Sequence, residues 1–488
     1  MNLIVLMRRR VSITFGEVLG VGAGSAVVVW AIGRGAAIRR NPDVKLEAAP
    51  LVGRWDWAPT ARILPAVFVG AVALVLTTAT ARRFSARVVL AAVGMLSALW
   101  TVSLAWSQGT TVMIDPVVHP TEYWSQLPRL PPAARLLRVW ADPLWMRNQP
   151  VHIKGHPPGY VFLLKAMGHV GLSSKWAVAA LSWVCAGGVA VAVVAAVRLL
   201  APCSSVRASA QASAQASARS SAPAPALDTK AAVGGVASEQ ADAWRVVAPF
   251  AVVAPYAVWM GTSADTVFSL AGAGGVVAVL AALRARRPTG TVIAGAGGGL
   301  LLGLALFLSY GMVTFLAVPA MAVLFLRGPT VRRRMLVALS LGAGIVIVFT
   351  AFALAHFWWF AGLKTTREFY WKGTAQFRPW AYFFVSNIAV VVIATGPAIV
   401  AGAGRLVTRH RRRSGQIWLL ALGAVIAIMA ANISQLSKGE TERIWLPFFT
   451  FLIPLAVVGE PSVGRQRFWL AIQISLTVVL QIGLMSKW

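Results

Sequence analysis

WAVAALSWVCAGGVAVAVVAAVR, residues 176–198, is the stretch that decides the fold of this chain. It carries no charged side chain before its last residue, Arg198. A helix rises about 1.5 Å per residue, so a run of this length crosses the ~30 Å hydrocarbon core of a bilayer. Similar runs recur along the 488 residues, of which 58% are hydrophobic and 12% charged. Soluble domains average about 25% charged residues, so the composition predicts an all-α polytopic membrane protein.

We predict thirteen membrane-spanning helices. They are 16–33, 63–80, 88–106, 176–198, 245–260, 265–283, 291–308, 311–326, 335–358, 381–402, 416–434, 444–458 and 468–485. The resulting regions are the N-terminal spans 1–106, a large outer loop 107–175, a span 176–202, a linker 203–243 and the remaining spans 244–488, with outer loops 361–380 and 434–443. The linker is rich in Ala, Ser and Gln, buries too little apolar area to fold, and is predicted to be disordered.

Basic residues indicate the orientation of these spans. The formal net charge of +30 comes largely from arginine clusters between apolar runs, where they act as topology signals and argue against nucleic-acid binding. A cytoplasmic N-terminus and an external C-terminus in the cell membrane put these clusters inside, although the basic loop 34–62 opposes the rule. The scheme also requires that residues 157–173 lie as a juxtamembrane helix on the outer face.

The polar residues that are not topology arginines collect on the predicted outer face. Among the acids of this face we single out Asp115, Glu122, Asp265, Glu440 and Glu442. Ionisable groups near membrane depth are candidates for function. The alternative for each acid is a solvated loop position, and Asp265 or Ser263 is also placed to cap the following helix.

Two of these acids are candidates for catalysis. Asp115 and Glu122 lie early in the large outer loop, where a carboxylate deprotonates an acceptor hydroxyl or binds a divalent cation that orients a phosphate. A divalent metal is therefore a candidate cofactor, with Asp115, Glu122 and Asp265 as its candidate ligands. Neither the metal nor its ligand set follows from the spacing of these residues.

Further residues are candidates for substrate binding. The stretch HIKGHPPG, residues 152–159, holds His156 just before a helix that Pro157 and Pro158 favour. Cations outside the membrane oppose the positive-inside trend and are suited to grip phosphate, although lipid headgroups attract them equally. The full set of candidate binding residues is His119, Tyr123, His152, Lys154, His156, Asp265, Tyr310, Lys364, Arg367, Arg378, Lys438, Glu440, Glu442 and Arg443.

The order of four motifs resembles a known class. TEYW (121–124), HPPG (156–159), a span closing at Arg198 and SADTVF (263–268) follow one another as in membrane glycosyltransferases of the GT-C class, such as protein O-mannosyltransferases and aminoarabinose transferases. The chain is also similar to a group of membrane proteins of high-GC bacteria through GHPPGYVFLL, LSYG and SKGETERIWLPF. Thr121 stands where the first acid of the class is expected, which leaves Glu122 or Asp115 as the base.

The resemblance implies a GT-C-like fold and a function. The expected activity is inverting transfer of a hexose or pentose from a polyprenyl-phosphate donor, which enters from the membrane lipids, to an envelope glycan, lipid or protein. His156 would then position the substrate. The alternatives are a transporter or flippase of lipid-linked glycans, which would carry ionisable residues deep in its spans, and a non-catalytic protein of envelope assembly.

Overall fold

The computed structural model describes residues 13–76, 83–200, 243–408, 416–459 and 462–486. Across these ranges the chain is almost wholly helical, and the two short strands β1 (Arg54–Trp55) and β2 (Leu484–Met485) pair antiparallel. The predicted all-α class is therefore confirmed. Apart from Ala243, the predicted linker 203–243 lies outside the described residues.

The α-helices of these ranges are numbered in chain order. They are α1 (Phe15–Ile38), α2 (Leu64–Val75), α3 (Ala86–Trp106), α4 (Thr110–Val118), α5 (Tyr123–Gln126), α6 (Ala133–Val139), α7 (Pro143–Arg147), α8 (Val151–Gly155), α9 (Gly159–His169), α10 (Lys175–Leu200), α11 (Ala243–Val252), α12 (Ala264–Arg284), α13 (Pro288–Leu308), α14 (Met312–Phe315), α15 (Ala317–Phe325), α16 (Val331–Leu354), α17 (Trp359–Lys372), α18 (Trp380–Thr395), α19 (Pro397–Thr408), α20 (Trp418–Ile433), α21 (Thr441–Ile444), α22 (Leu446–Phe449) and α23 (Val463–Gly483). Short 3₁₀ turns lie at Pro42–Val44, Ala61–Ile63, Leu127–Arg129, Pro255–Trp259, Thr374–Phe377 and Ile453–Val457.

Six of the described helices are long and apolar enough to cross a membrane, namely α1, α3, α10, α12, α13 and α16. The pair α18 and α19 raises the number to seven if it is one broken span, bent by 108°. These helices indicate an integral membrane protein. The predicted thirteen spans are not confirmed.

Glycine and proline explain much of the difference in the number of spans. The predicted span 381–402 is broken at Gly396, which has a φ of 86°, a left-handed conformation that favours glycine, and the following Pro397 begins a new helix. The predicted span 444–458 contains Pro447 and Pro454 and forms only short helical turns. Hydropathy alone does not register these interruptions, because an interrupted run is as apolar as a continuous helix.

Small residues let the long helices pack closely. Along α13, Gly295, Gly299 and Gly303 recur every four residues and lie on one face. That face contacts α16, where Ser340 and Gly344 are equally small. Glycine interfaces of this kind are typical of helices that associate in lipid, because backbones approach where side chains are absent.

The large loop 107–175 folds into the short helices α4 to α9 at one end of the long helices. Helix α17 is tied to this loop by two hydrogen bonds: the Thr365 hydroxyl donates to the carbonyl of Ala141 (2.9 Å) and the Thr366 hydroxyl to that of Lys154 (2.8 Å). The Tyr370 hydroxyl donates to the Gln435 carbonyl at 3.0 Å. Helix α17 therefore joins the large loop to the turn 434–440, and the candidate site residues lie around this junction.

Candidate functional site

Glu122 forms an ion pair with His152 inside the large loop. Glu122 is the residue that precedes α5, and its side chain makes no capping hydrogen bond there, so the carboxylate is available for other contacts. Its Oε1 lies 3.0 Å from His152 Nε2. The two side chains are 19% and 7% exposed, so the pair is shielded from water but the carboxylate is not sealed off.

Asp265 forms a second ion pair at the start of α12. Ser263 caps this helix: its Oγ accepts from the backbone N–H of Asp265 at 3.1 Å and donates to Asp265 Oδ2 at 3.0 Å. The Asp265 carboxylate is therefore not needed as the cap. Arg443 Nη1 donates to Asp265 Oδ2 at 2.8 Å, and both side chains are buried.

The turn that carries Arg443 has an unusual backbone. Gly439 and Glu440 both have positive φ values, 85° and 60°. A left-handed conformation is uncommon for a glutamate and costs of the order of 1 kcal/mol. The turn directs Glu440 between two arginines: Arg443 Nη2 lies 3.6 Å from Oε2, and Arg378 Nη2 lies 3.5 Å from Oε1.

Glu122, His152, Asp265, Glu440 and Arg443 form one electrostatic group, which we call the Glu122 cluster. Burial raises the pKa of Glu122, but the charge and hydrogen bond of His152, followed by the charge of Arg443, more than offset it and lower this pKa. Burial also raises the pKa of Glu440, and the charges of Arg378 and Arg443 reverse the shift. Both carboxylates are therefore ionised at neutral pH.

Arg443 stays charged despite its burial. Burial lowers the pKa of its guanidinium, but Asp265, Glu440 and Glu122 raise it by more, so that the net shift is upward. The cluster thus sets one fixed positive charge among three carboxylates on different elements.

Glu442 lies beside the cluster but faces another way. Its side chain is fully buried, and its Oε1 accepts from the backbone N–H of Val52 at 2.7 Å. Its Oε2 is buried and has no hydrogen-bond partner among the described residues. Burial raises the pKa of Glu442 to about 7. Glu442 therefore attaches the loop that follows α1 to the turn 434–443.

Two of the predicted outer cations form internal ties. Arg378 donates from Nε to the Val44 carbonyl (3.0 Å) and from Nη1 to the Lys438 carbonyl (2.5 Å). Lys438 Nζ donates to the carbonyls of Ala375 and Arg378, both at 3.1 Å. In this conformation Arg378 and Lys438 use these donors to hold loops together. Arg443 is therefore the cation that we assign to the cluster.

Three other predicted cations lie away from the cluster. Lys364 and Arg367 are both exposed on α17. Lys154 lies over the ring of Phe369, 5.6 Å from its centroid. The predicted phosphate contacts of these residues stay predictions.

HPPG begins α9 as predicted, and a close contact with another helix explains why its last residue is a glycine. The backbone at Gly159 lies against the carbonyl of Phe307 at the end of α13, where a Cβ atom would overlap with it. His156 is held between Trp140, whose indole N–H donates to the His156 carbonyl at 3.1 Å, and Phe268, whose ring centroid is 5.6 Å away. Burial lowers the pKa of His156 to about 4, so its imidazole is neutral and does not attract a phosphate by charge.

The remaining predicted residues lie around the cluster or outside it. Tyr123 is buried with its ring edge-on to Tyr160, and its hydroxyl has no partner among the described residues. Tyr310 is buried against Trp359 of α17. Asp115 and His119 are exposed, and His119 Nδ1 lies 2.8 Å from the Thr121 hydroxyl.

The described residues do not assemble the predicted metal site. Among them, no three His, Cys, Asp or Glu side chains are grouped so that they could hold a metal ion. Glu122 is paired with His152 and Asp265 with Arg443, while Asp115 lies exposed on α4. The arrangement favours chemistry by carboxylate, histidine and arginine.

Sequence reasoning missed another buried ion pair, which lies at the first turn of α1. Arg405 Nη1 contacts Glu17 Oε1 at 2.5 Å, and both residues are 0% exposed. The indole N–H of Trp469 donates to the same Glu17 oxygen at 2.9 Å. We call Glu17, Arg405 and Trp469 the Glu17 clamp. The sequence TFGE, residues 14–17, carried the available signal, because Thr14 and Glu17 form a capping box.

Comparison of the chain with protein-family models, with curated proteins and with solved structures found no match. The geometry of the Glu122 cluster is therefore the basis for proposing a function.

Proposed function

We propose that this protein is a GT-C-type glycosyltransferase of the cell membrane. It takes a polyprenyl-phosphate-linked hexose or pentose at the outer face and transfers the sugar, with inversion, to an envelope glycan, lipid or protein. The observation that supports this best is Glu122, an ionised carboxylate that is mostly shielded from water and lies beside His152 and the charge of Arg443.

Glu122 acts as the general base in this proposal. The acceptor hydroxyl oxygen attacks the anomeric carbon from the side opposite the phosphate, and its proton passes to the Glu122 carboxylate. The bond between the anomeric carbon and the phosphate oxygen breaks, and its electron pair leaves with the polyprenyl phosphate. A carboxylate with a low pKa remains available as a base, and such proton transfer contributes about 10²- to 10⁴-fold.

Arg443 supplies positive charge where the phosphate develops its negative charge. Fixed charges in a water-poor site stabilise such a leaving group without having to reorganise. Arg378 and Lys438 donate to backbone carbonyls, and Arg378 also pairs with Glu440, so these two residues support the turn that carries Arg443.

The donor lipid approaches from the bilayer. Aromatic side chains next to the junction of loop and turn are exposed, among them Trp358 and Phe360 at 54% each and Trp380 at 42%. Exposed aromatic rings of this kind are enriched at the membrane interface. They mark the level at which the polyprenyl phosphate enters.

Substrate entry requires movement near the cluster. The cavity beside Asp265 measures about 30 Å³ and is lined by Phe268, Ser309, Ser437 and Trp445 among others. Ligand pockets measure about 300–1,000 Å³, so this cavity holds water rather than a sugar. Helix α17 and the large loop, which meet through the Thr365 and Thr366 hydrogen bonds, are the elements that open in this proposal.

The test is a donor assay with purified protein in lipid nanodiscs. The protein is incubated with polyprenyl-phosphate hexoses and pentoses in a membrane extract that contains acceptors, and the release of free polyprenyl phosphate is measured. We expect release with one donor and loss of release in Glu122→Gln. If no donor is consumed, catalysis is refuted and a non-catalytic assembly role is favoured.

A flippase is the second candidate in this membrane setting. It would move a lipid-linked glycan across the bilayer without cleaving it, so a fluorescent donor would change leaflets while polyprenyl phosphate stays bound to its sugar. The Glu17 clamp does not support transport, because its arginine is engaged by Glu17 and by backbone carbonyls.

The proposed orientation has its own test. A reporter inserted within 203–243 is expected to be cytoplasmic, and one within 361–380 external, because the arginine clusters then lie inside. A reporter that gives the same side at both positions would refute the orientation, including the external position of the Glu122 cluster.

A further inference from the structure

We infer that His152 is a positioning residue that holds one oxygen of Glu122 and leaves the other to take the proton of the acceptor. This inference rests on the proposed function and deepens it. Sequence reasoning counted His152 among the substrate-binding residues. The structure instead directs its Nε2 at Glu122 Oε1, 3.0 Å away.

His152 is held in place independently of Glu122. It lies on α8, which packs against α17 through the hydrogen bond from the Thr366 hydroxyl to the Lys154 carbonyl. Its ring lies 5.9 Å from that of Tyr123, and its side chain is 7% exposed. A histidine fixed in this way orients a carboxylate rather than following it.

Glu122 has one occupied and one available oxygen. His152 contacts Oε1, whereas Oε2 makes no hydrogen bond within the described part of the chain. The Glu122 side chain is 19% exposed, so it is open to an incoming group. The Glu122 backbone N–H donates to the His119 carbonyl at 2.9 Å, which fixes the position of the residue. Oε2 is thus the atom that faces an incoming hydroxyl.

The charges around Glu122 give this arrangement a pH signature. His152 on α8 and Arg443 on α21 lower the pKa of Glu122, and His152 has the larger effect of the two. His156 before α9 also faces Glu122, but burial lowers its pKa to about 4, so it is neutral at neutral pH. Removing the His152 imidazole must therefore raise the pKa of Glu122. When the pH is lowered, a base with a raised pKa is protonated earlier, and the variant loses activity at a higher pH than the wild type does. The acidic limb of the pH–rate profile therefore moves to higher pH.

The experiment compares His152→Gln and His152→Ala with His169→Gln. His169 is a matched control, because it is an exposed histidine of the same loop, at the end of α9, and lies outside the Glu122 cluster. Release of polyprenyl phosphate is measured against pH, with kcat and the KM for the donor separated. We expect His152→Ala to lower kcat by about 10- to 100-fold, the effect of a misplaced reacting group, with a donor KM within about 2-fold.

His152→Gln keeps an N–H donor for Oε1 but has no imidazole that can take up a proton. It is expected to recover part of kcat relative to alanine while its acidic limb stays shifted upward. Profiles of both His152 variants that coincide with those of His169→Gln and the wild type would overturn the inference.

A readout that does not need turnover separates this inference from the proposed function. The pH dependence of carbodiimide labelling at Glu122, followed by mass spectrometry of the folded protein, reports when this carboxyl is protonated. In His152→Gln the labelling profile is expected to move to higher pH. An unchanged profile refutes the pairing even in an active protein, whereas a shifted profile in a protein that consumes no donor refutes only the glycosyltransferase.

Discussion

The Glu122 cluster and the Glu17 clamp are both buried groups of opposite charges, but they differ in whether all of their hydrogen-bonding atoms have partners. In the Glu17 clamp, Arg405 donates to Glu17, to the Val458 carbonyl at 2.6 Å and to the Ala456 carbonyl at 2.7 Å. In the Glu122 cluster, Glu122 keeps an oxygen without a partner among the described residues. A saturated buried ion pair holds helices together, whereas one with an available atom is able to meet a substrate.

The Glu17 clamp and Glu442, the neighbour of the Glu122 cluster, hold segments at the two ends of α1. Glu17 is in the first turn of α1, and the loop after α1 reaches Glu442 through Val52. A helix of 24 residues spans about 36 Å, the thickness of a membrane. The Glu17 clamp therefore holds the first turn of α1, and Glu442, beside the Glu122 cluster, holds the loop that follows this helix.

The largest expected effect is that of Glu122→Gln, which removes the charge and keeps the shape. Transfer should fall by about 10²- to 10⁴-fold because the general base is lost, while the melting temperature stays near that of the wild type. Asp115→Asn is the control, since Asp115 is exposed on α4. A larger loss of transfer in Asp115→Asn would move the base to Asp115 and break the comparison.

Arg405→Met is expected to act on stability instead. It leaves the Glu17 carboxylate buried without its arginine, and such a change costs about 3–5 kcal/mol. Thermal unfolding in detergent measures the loss, and the folded fraction should retain its specific activity. The double variant Glu17→Met, Arg405→Met should regain part of the stability, because the fully buried carboxylate is then removed together with its arginine. Equal stability of Arg405→Met and the wild type would show that the clamp is not structural.

Glu442→Gln should change how stability depends on pH. The pKa of Glu442 is raised from 4.5 to about 7 in the folded state, so its stabilising contribution is complete below about pH 4.5 and is lost as the pH rises from there through about 7. Glutamine keeps an acceptor for Val52 and cannot ionise. We expect the variant to be more stable than the wild type at pH 8, by about 1–3 kcal/mol, and similar at about pH 4. If the stabilities of the variant and the wild type changed with pH in the same way, Glu442 would not have the raised pKa assigned to it.

The smallest effect is expected from the cations of α17 that lie outside the cluster. Lys364→Gln and Arg367→Gln remove charges on the partly exposed face of this helix, and such charges contribute about 0–1 kcal/mol. Transfer by the double variant should stay within about 2-fold of the wild type in neutral lipid. A loss as large as that of Glu122→Gln would place phosphate binding on α17 rather than on the turn of Arg443.

The sequence by itself determined the membrane class, the helical fold and most members of the Glu122 cluster. Apolar runs such as 176–198 have one stable structure in lipid, because only a helix satisfies every backbone hydrogen bond within the segment. Glu122, Asp265, Glu440 and Arg443 stood out because ionisable residues are rare in such a chain. Helix starts at HPPG and at Ser263 followed from local capping and proline geometry.

Only the tertiary structure decided which partners these residues have. Glu122 and His152 are 30 positions apart, and Asp265 and Arg443 are 178 apart, so no local pattern pairs them. The same holds for Glu17 and Arg405. In the sequence Arg405 resembled a topology signal, but in the structure it is buried and its donors are occupied by Glu17 and two backbone carbonyls. Composition and periodicity record what each segment prefers alone, whereas pairing depends on how helices pack, and packing is set by contacts between side chains that are distant in sequence.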